Sequence, residues 1–278
     1  MEAASLHNII INWLIGAACA FIVAGAAYFK RSLTLSGWIA ATFMGMVYYG
    51  AGSLFWFGIL LVFFISSTLL SKLKQSQKSD LEGSYAKTGR RDAGQVFANG
   101  GIGMLLCLTN FIWPHPAWGY LFVGVMATVT SDTWATEVGS LSRKAPRSIL
   151  TWKRVSPGAS GGISTLGTWA AAAGGLLIGL SAWTFDALTD VSRTSLWLWL
   201  VIGLIGGLVG AFTDSFLGAT VQLMYRCQIC EKEVEVAEHC GVQTHYHRGH
   251  HLMTNDAVNL LSSIAGAIAG IVLGSLLG

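Results

Sequence analysis

Eight apolar stretches, at about residues 8–28, 35–50, 53–71, 93–112, 117–139, 164–185, 195–224 and 256–277, leave this chain little choice but membrane helices. A hydrocarbon layer about 30 Å thick is crossed by about 20 apolar residues in a helix, which satisfies its backbone polar groups internally. The pattern implies an all-α, polytopic membrane helix bundle: one integral membrane domain over residues 1–278 with about eight transmembrane helices, and six to eight as the range. The second stretch is short, and the seventh is long enough to project from the bilayer or break near Asp214. Charged residues are only 11% of the chain, against roughly 25% in a soluble domain. The first stretch is too long for a cleavable signal, and its basic pair, Lys30-Arg31, follows it rather than preceding it. In VIGLIGGLVG, the pairs Gly203/Gly207 and Gly206/Gly210 are spaced for close helix–helix approach.

Orientation follows from the basic residues, which favour cytoplasmic loops. With the N-terminus outside, the cytoplasmic loops are 29–34, 72–92, 140–163 and 225–255; they hold 16 of the 17 Lys and Arg residues, leaving Arg193 outside. This places an even number of spans in a cell membrane with both termini outside. The net charge of +3 then reflects membrane orientation, and no nucleic-acid partner follows from it.

Carboxylates in hydrocarbon are costly and normally face a polar cavity. In this topology Asp132 and Glu137 lie toward the cytoplasmic end of the fifth span, and Asp214 lies in the inner half of the seventh. Asp92 and Asp256 open the fourth and eighth spans on the same side, either as favourable charges at helix N-termini or as site residues. Asp132 and Glu137 are roughly 140° apart around a helix and need not share a ligand. Asp186 and Asp190 fall in an outer loop.

Between the fifth and sixth spans, SRKAPRSILTWKRVSPGASGGISTLGTW carries Arg143, Lys144, Arg147, Lys153 and Arg154, followed by a glycine turn directly before a helix. Backbone N–H groups in such a turn, and the helix N-terminus behind it, attract anions. Ser160, Gly161, Gly162 and Ser164 are the candidates there. Magnesium takes carboxylate and phosphate oxygens, while cationic side chains hold the phosphates. The expectation is therefore Mg²⁺ on Asp132 and Asp214, with Glu137 and Lys153 completing the catalytic group and Arg91 and Arg154 on the substrate. The i,i+4 pairs Gln95/Asn99 and Asn255/Asn259 offer side-chain amides to a substrate or to a neighbouring helix.

The segment 225–255 is a cytoplasmic Cys/His loop, YRCQICEKEVEVAEHCGVQTHYHRGHH. Cytoplasmic thiols stay reduced. Cys227 and Cys230 form a CxxC, with His239 and Cys240 following, a ligand set for one structural Zn²⁺, with His245 or His247 as alternative fourth ligands. The reading without metal is a loop of free thiols. Cys19 and Cys107 lie in spans as packing residues.

Together RDAGQVFANGG, SDTWATEVG, the SGGIS–LGT segment, TDSFLGATVQ and TNDAVNL, from about residue 90 to 262, resemble the integral-membrane phytyl-phosphate kinases and their transmembrane protein 19-like relatives. By position, Asp132, Glu137 and Asp214 match the family's acidic positions and Ser160–Gly162 its glycine turn. The two arginines before Asp92 are a mild departure. The resemblance implies transfer of phosphate from a nucleoside triphosphate, CTP in the plant enzymes, to an isoprenyl monophosphate lipid. It also implies a distant likeness to CTP-using dolichol kinases and CDP-diacylglycerol synthases. Two alternatives use the same residue types: cytidylyl transfer to the lipid phosphate, and a membrane transporter with an acid-lined path.

Overall fold

The computed structural model of the chain describes residues 2–72, 89–189 and 194–278. Asp190, Arg193 and the lysines between 73 and 88 lie outside the described residues. Among the described residues there are eight α-helices: α1 (Glu2–Phe29), α2 (Leu35–Val47), α3 (Leu54–Lys72), α4 (Ala93–Ile112), α5 (Pro116–Gly139), α6 (Thr165–Thr189), α7 (Leu196–Thr220) and α8 (Asn255–Leu277). The fold is an all-α polytopic bundle, with short antiparallel strands confined to two of its loops.

Six helices, all but α2 and α5, are long and apolar enough to cross a membrane. The 13 residues of α2 reach about 20 Å at 1.5 Å per residue. A π-helical turn, Tyr48–Gly52, then carries the chain into α3. The shortfall of α5 has another cause. Every residue from Phe122 to Ser131 is buried, because α5 packs against α6, α7 and α8 as well as α3 and α4. A helix wrapped by protein needs no lipid-facing apolar surface, so it tolerates Thr128, Thr130 and Ser131. These hydroxyls donate to backbone carbonyls: Thr128 to Gly124 (2.9 Å) and Ser131 to Ala171 across to α6 (2.8 Å).

Glycine sets the spacing in this half of the bundle. A Cβ on Gly124 of α5 would overlap the backbone of Gly266 on α8, and Gly175 of α6 faces Gly203 of α7 just as closely. Both small-residue pairs of α7 are used: Gly203 faces α6, Gly207 faces α5 and α6, Gly206 faces α5 and α8, and Gly210 faces α5. The other half packs through rings. Trp56 and Phe122 have centroids 4.4 Å apart, and the Tyr48 hydroxyl donates to Gly100 O (2.9 Å).

Two expectations change here. α7 runs unbroken past Asp214 and ends at Thr220. α6 extends to Thr189, so Asp186 is helical and only 1% exposed rather than in an outer loop. Its Oδ2 accepts from Thr194 N (3.0 Å) and Trp199 Nε1 (3.1 Å). A buried charge-assisted acceptor for two donors is a structural anchor.

Candidate functional site

One end of the bundle collects the C-termini of α1, α3, α5 and α7 and the N-termini of α4, α6 and α8 around a polar cavity of about 780 Å³. Asp132 and Asp214 face each other across it, with their carboxyls in hydrogen-bonding contact. Ser262 Oγ donates to Asp214 Oδ2 (3.3 Å). A third carboxylate, Glu235 from the Cys/His loop, interacts with Asp214 and accepts from Gln222 Nε2 (2.8 Å), and Gln222 Oε1 accepts from Ser160 Oγ (2.9 Å). Carboxylates this close repel unless a cation or a shared proton lies between them. The oxygen-only donor set suits a hard divalent cation.

Glu137 stands apart from that pair, as its angular offset on α5 implies. Ser71 Oγ donates to it (2.6 Å), and its charge acts on Arg91. Arg91 is positioned from both sides. Its N–H donates to Ser32 O and its carbonyl accepts from Thr34 N, each 3.0 Å. The next residue, Asp92, caps α4: Asp92 Oδ1 accepts from Gln95 N (2.9 Å), while Gln95 Oε1 accepts from Asp92 N (3.2 Å). This capping box fixes the start of α4. The Arg91 guanidinium lies over the rings of Phe63 and Phe64, 5.7 and 6.0 Å from their centroids. Its Nη1 is buried without a hydrogen-bond partner among the described residues.

Arg91, Gln95 and Asn99 line a second space as well, a narrow slot of about 60 Å³ walled by apolar residues of α1, α2 and α3. A polar cavity and an apolar slot therefore meet at one arginine and two amides.

Most predicted site residues line the cavity: Asp132, Glu137, Asp214, Arg91, Gln95, Asn99, Ser160, Gly161, Gly162, Ser164, Asn255 and Asn259. Four do not. Asp92 serves as the helix cap, and Asp256 lies in the first turn of α8 outside the lining. Lys153 and Arg154 are exposed on the far side of their loop, where Lys153 O and Arg154 pair with the strand β1 (Arg147–Ser148). The cationic lining comes instead from Lys30, Arg31, Lys72, Arg90, Arg91 and Lys144.

The glycine turn also differs from an open anion nest. Strand β2 (Gly162–Ile163) pairs with β1, and Gly162 N donates to Ala159 O (3.0 Å). Gly167 N in the first turn of α6 donates to Ser164 Oγ (3.1 Å). Those donors are already satisfied within the loop. Gly161 is required for another reason: at φ +78°, a Cβ would overlap Ala219 of α7, so the turn packs directly on that helix.

The Cys/His loop folds beneath the end of α7. Strands β3 (Met224–Arg226), β4 (Glu233–Val234) and β7 (His245–Arg248) form one sheet in the order β4-β3-β7, and β5 (Glu238–His239) pairs with β6 (Val242–Gln243). Arg248 Nη1 donates to Gly218 O (2.9 Å), a last-turn carbonyl of α7, and so docks the loop on the helix C-terminus. The ligand atoms of Cys227, Cys230, His239 and Cys240 lie within 4.8 Å of one another. The Cys230 N–H and then the His239 side chain hold the Cys227 thiol down, to about 6.

A multi-helix membrane protein with a charged cavity at the end of the bundle is the class these features define. The chain belongs to the integral membrane protein DUF92 family, which matches residues 18–267. It is 31% identical to Protein PGR of Arabidopsis thaliana over 295 residues, covering 98% of this chain and 99% of that protein. An uncharacterized membrane protein of Methanocaldococcus jannaschii is 28% identical over 251 residues, 88% of this chain and 87% of its own. Another from Synechocystis is 28% identical over 220 residues, 70% of this chain and 83% of its own. No solved structure matches the chain. The family match spans every motif on which the resemblance to the phytyl-phosphate kinase type rests.

Proposed function

We propose that this protein transfers phosphate from a nucleoside triphosphate, CTP by the family resemblance, to an isoprenyl monophosphate, giving the diphosphate. The observation that carries this reading is the junction at Arg91, Gln95 and Asn99, where an apolar slot meets a cavity lined by carboxylates and cations. A lipid phosphate presents those two chemistries side by side. Its chain lies among the apolar side chains of α1–α3, and Arg91 receives its phosphate, for which the planar guanidinium is well shaped. Lys30, Lys72 and Lys144 neutralise the triphosphate.

Asp132 and Asp214, with Glu235 beside them, would hold Mg²⁺; the facing carboxylates fit that ion. Bound there, it supplies neutralisation of charge on the transferring phosphoryl group. A phosphate monoester carries about 1.5–2 negative charges at pH 7, so its oxygen attacks without a general base. Alignment and charge then make up the catalysis. Outside the cavity lining, Phe122, Val123, Val125 and Met126 of α5 are all fully buried, which weighs against a transport path along that helix.

The reaction faces the cytoplasm of a cell membrane in this proposal, with both termini outside. Labelling of a single-cysteine Thr151→Cys variant by an impermeant reagent in intact cells would overturn that orientation. Activity is tested with purified protein, isoprenyl monophosphates, each nucleoside triphosphate and magnesium. Release of CDP with lipid diphosphate is expected. Release of pyrophosphate replaces the reading with cytidylyl transfer, and no turnover of any pair overturns the transferase altogether.

A further inference from the structure

Loop 225–250 has almost no core of its own: only Cys227 and Val234 are buried in it. Its strands are two to four residues long. Segments with so little buried apolar surface are usually tied by disulfides or a metal. All five cysteines are free.

The side chains at the centre of the loop have the composition and spacing of a closed metal site. His239 Nδ1 lies 3.5 Å from Cys230 Sγ and 3.2 Å from Cys240 Sγ. Tetrahedral zinc, with Zn–S about 2.3 Å and Zn–N about 2.0–2.1 Å, has S···N edges of about 3.6 Å. Two left-handed residues, Glu231 (φ 58°) directly after Cys230 and Cys240 (φ 55°) itself, turn the chain back on the cluster. His247, the alternative ligand, is engaged elsewhere, 3.2 Å from Glu233 Oε1.

What the cluster closes has a further consequence. Cys230 and His239 are the two ends of a short arc, and Glu235 sits near its apex, where it accepts from Gln222 and lines the same cavity as Asp214. A tie across the base of the arc fixes where that carboxylate stands.

We propose that Cys227, Cys230, His239 and Cys240 bind one structural zinc ion, which ties the 230–239 arc and holds Glu235 at the cavity beside Asp214. Four protein ligands leave no open coordination position, so the ion is a tether and takes no part in chemistry. This inference is independent of the transferase reading.

The test uses the full-length protein, purified without chelators under reducing conditions. Elemental analysis is expected to give about one zinc per chain, unchanged in His247→Ala and lost in Cys227→Ser/Cys230→Ser. Should that double variant fail to fold, replacement of zinc by cobalt in the wild type gives a second reading. The expected result is an intense thiolate-to-cobalt charge-transfer band with tetrahedral d–d absorption. Removal of the metal should raise hydrogen exchange in peptides covering 230–239 and leave α5 unchanged. A wild-type chain with no zinc and no tetrahedral cobalt spectrum, or one carrying a Cys227–Cys230 disulfide, overturns the site. Zinc present with exchange over 230–239 unchanged on its removal overturns the tether.

Discussion

Asp132→Asn and Asp214→Asn should move stability and activity in opposite directions. Two unit charges about 4 Å apart repel by about 4 kcal/mol at an effective dielectric of about 20. Asn keeps the side-chain size and, at position 214, the ability to accept the Ser262 hydroxyl, yet removes that repulsion. Without magnesium, each variant should therefore be at least as stable as wild type. With magnesium the order reverses. A ligand present at about one hundred times its dissociation constant stabilises by about 2.7 kcal/mol, roughly a 5–10 °C rise in Tm for a chain of this size. The variants, lacking one of the facing charges, should lose most of that rise. Loss of one charged ligand to the magnesium ion that neutralises the transferring phosphate should lower the rate by about 10²–10⁴, or about 3–5 kcal/mol. The assay is paired: thermal unfolding in detergent across a magnesium titration, and product formation on the same monodisperse samples. If both variants kept a normal magnesium-dependent Tm rise and near-normal activity, the Asp132–Asp214 metal site would be wrong.

Replacing Arg91 with Met keeps the contact with Phe63 and Phe64 but removes the phosphate donor; kcat/KM for the lipid phosphate should fall by about 10–100-fold, and Arg91→Lys should recover little of it. Gly124→Ala should yield protein that aggregates on size exclusion, because the new methyl meets the Gly266 backbone, whereas Gly25→Ala, whose Cβ meets only Trp38 Nε1 at 3.7 Å, should behave as wild type. Asp186→Ala strands the Thr194 and Trp199 N–H donors and should lower stability by about 1–3 kcal/mol; Asp186→Asn retains an acceptor, and thermal unfolding should show it in between.

The helices were legible because a membrane span needs a long apolar run, and their ends fell close to the apolar boundaries. The facing of Asp132 and Asp214 was legible only as a shared depth, since contact between side chains on α5 and α7 depends on how those helices rotate. Asp92 carried its own answer: Asp followed three residues later by Gln is a capping pattern. Asp186 misled because FDALTD reads as a polar loop, while its partners, Thr194 and Trp199, come after the turn. Glu235 was hidden in EVEVAEH among four loop acids. Only the fold of the arc shows which of them reaches the cavity. Lys153 and Arg154 failed for the same reason in reverse: a basic loop satisfies the orientation rule whichever way its side chains point, and here it is Lys144 that lines the cavity.

Backbone-to-backbone packing and ring-to-ring packing deform differently. Where Gly124 meets Gly266 and Gly175 meets Gly203, no side chain can change rotamer to admit a sliding motion, so α5–α8 move as one piece. The slot among α1–α3 is walled in part by the rings of Phe57, Phe63 and Phe64, which turn about two bonds each. A bulky molecule entering sideways from the bilayer would therefore displace those rings first, leaving the carboxylates of α5 and α7 in register.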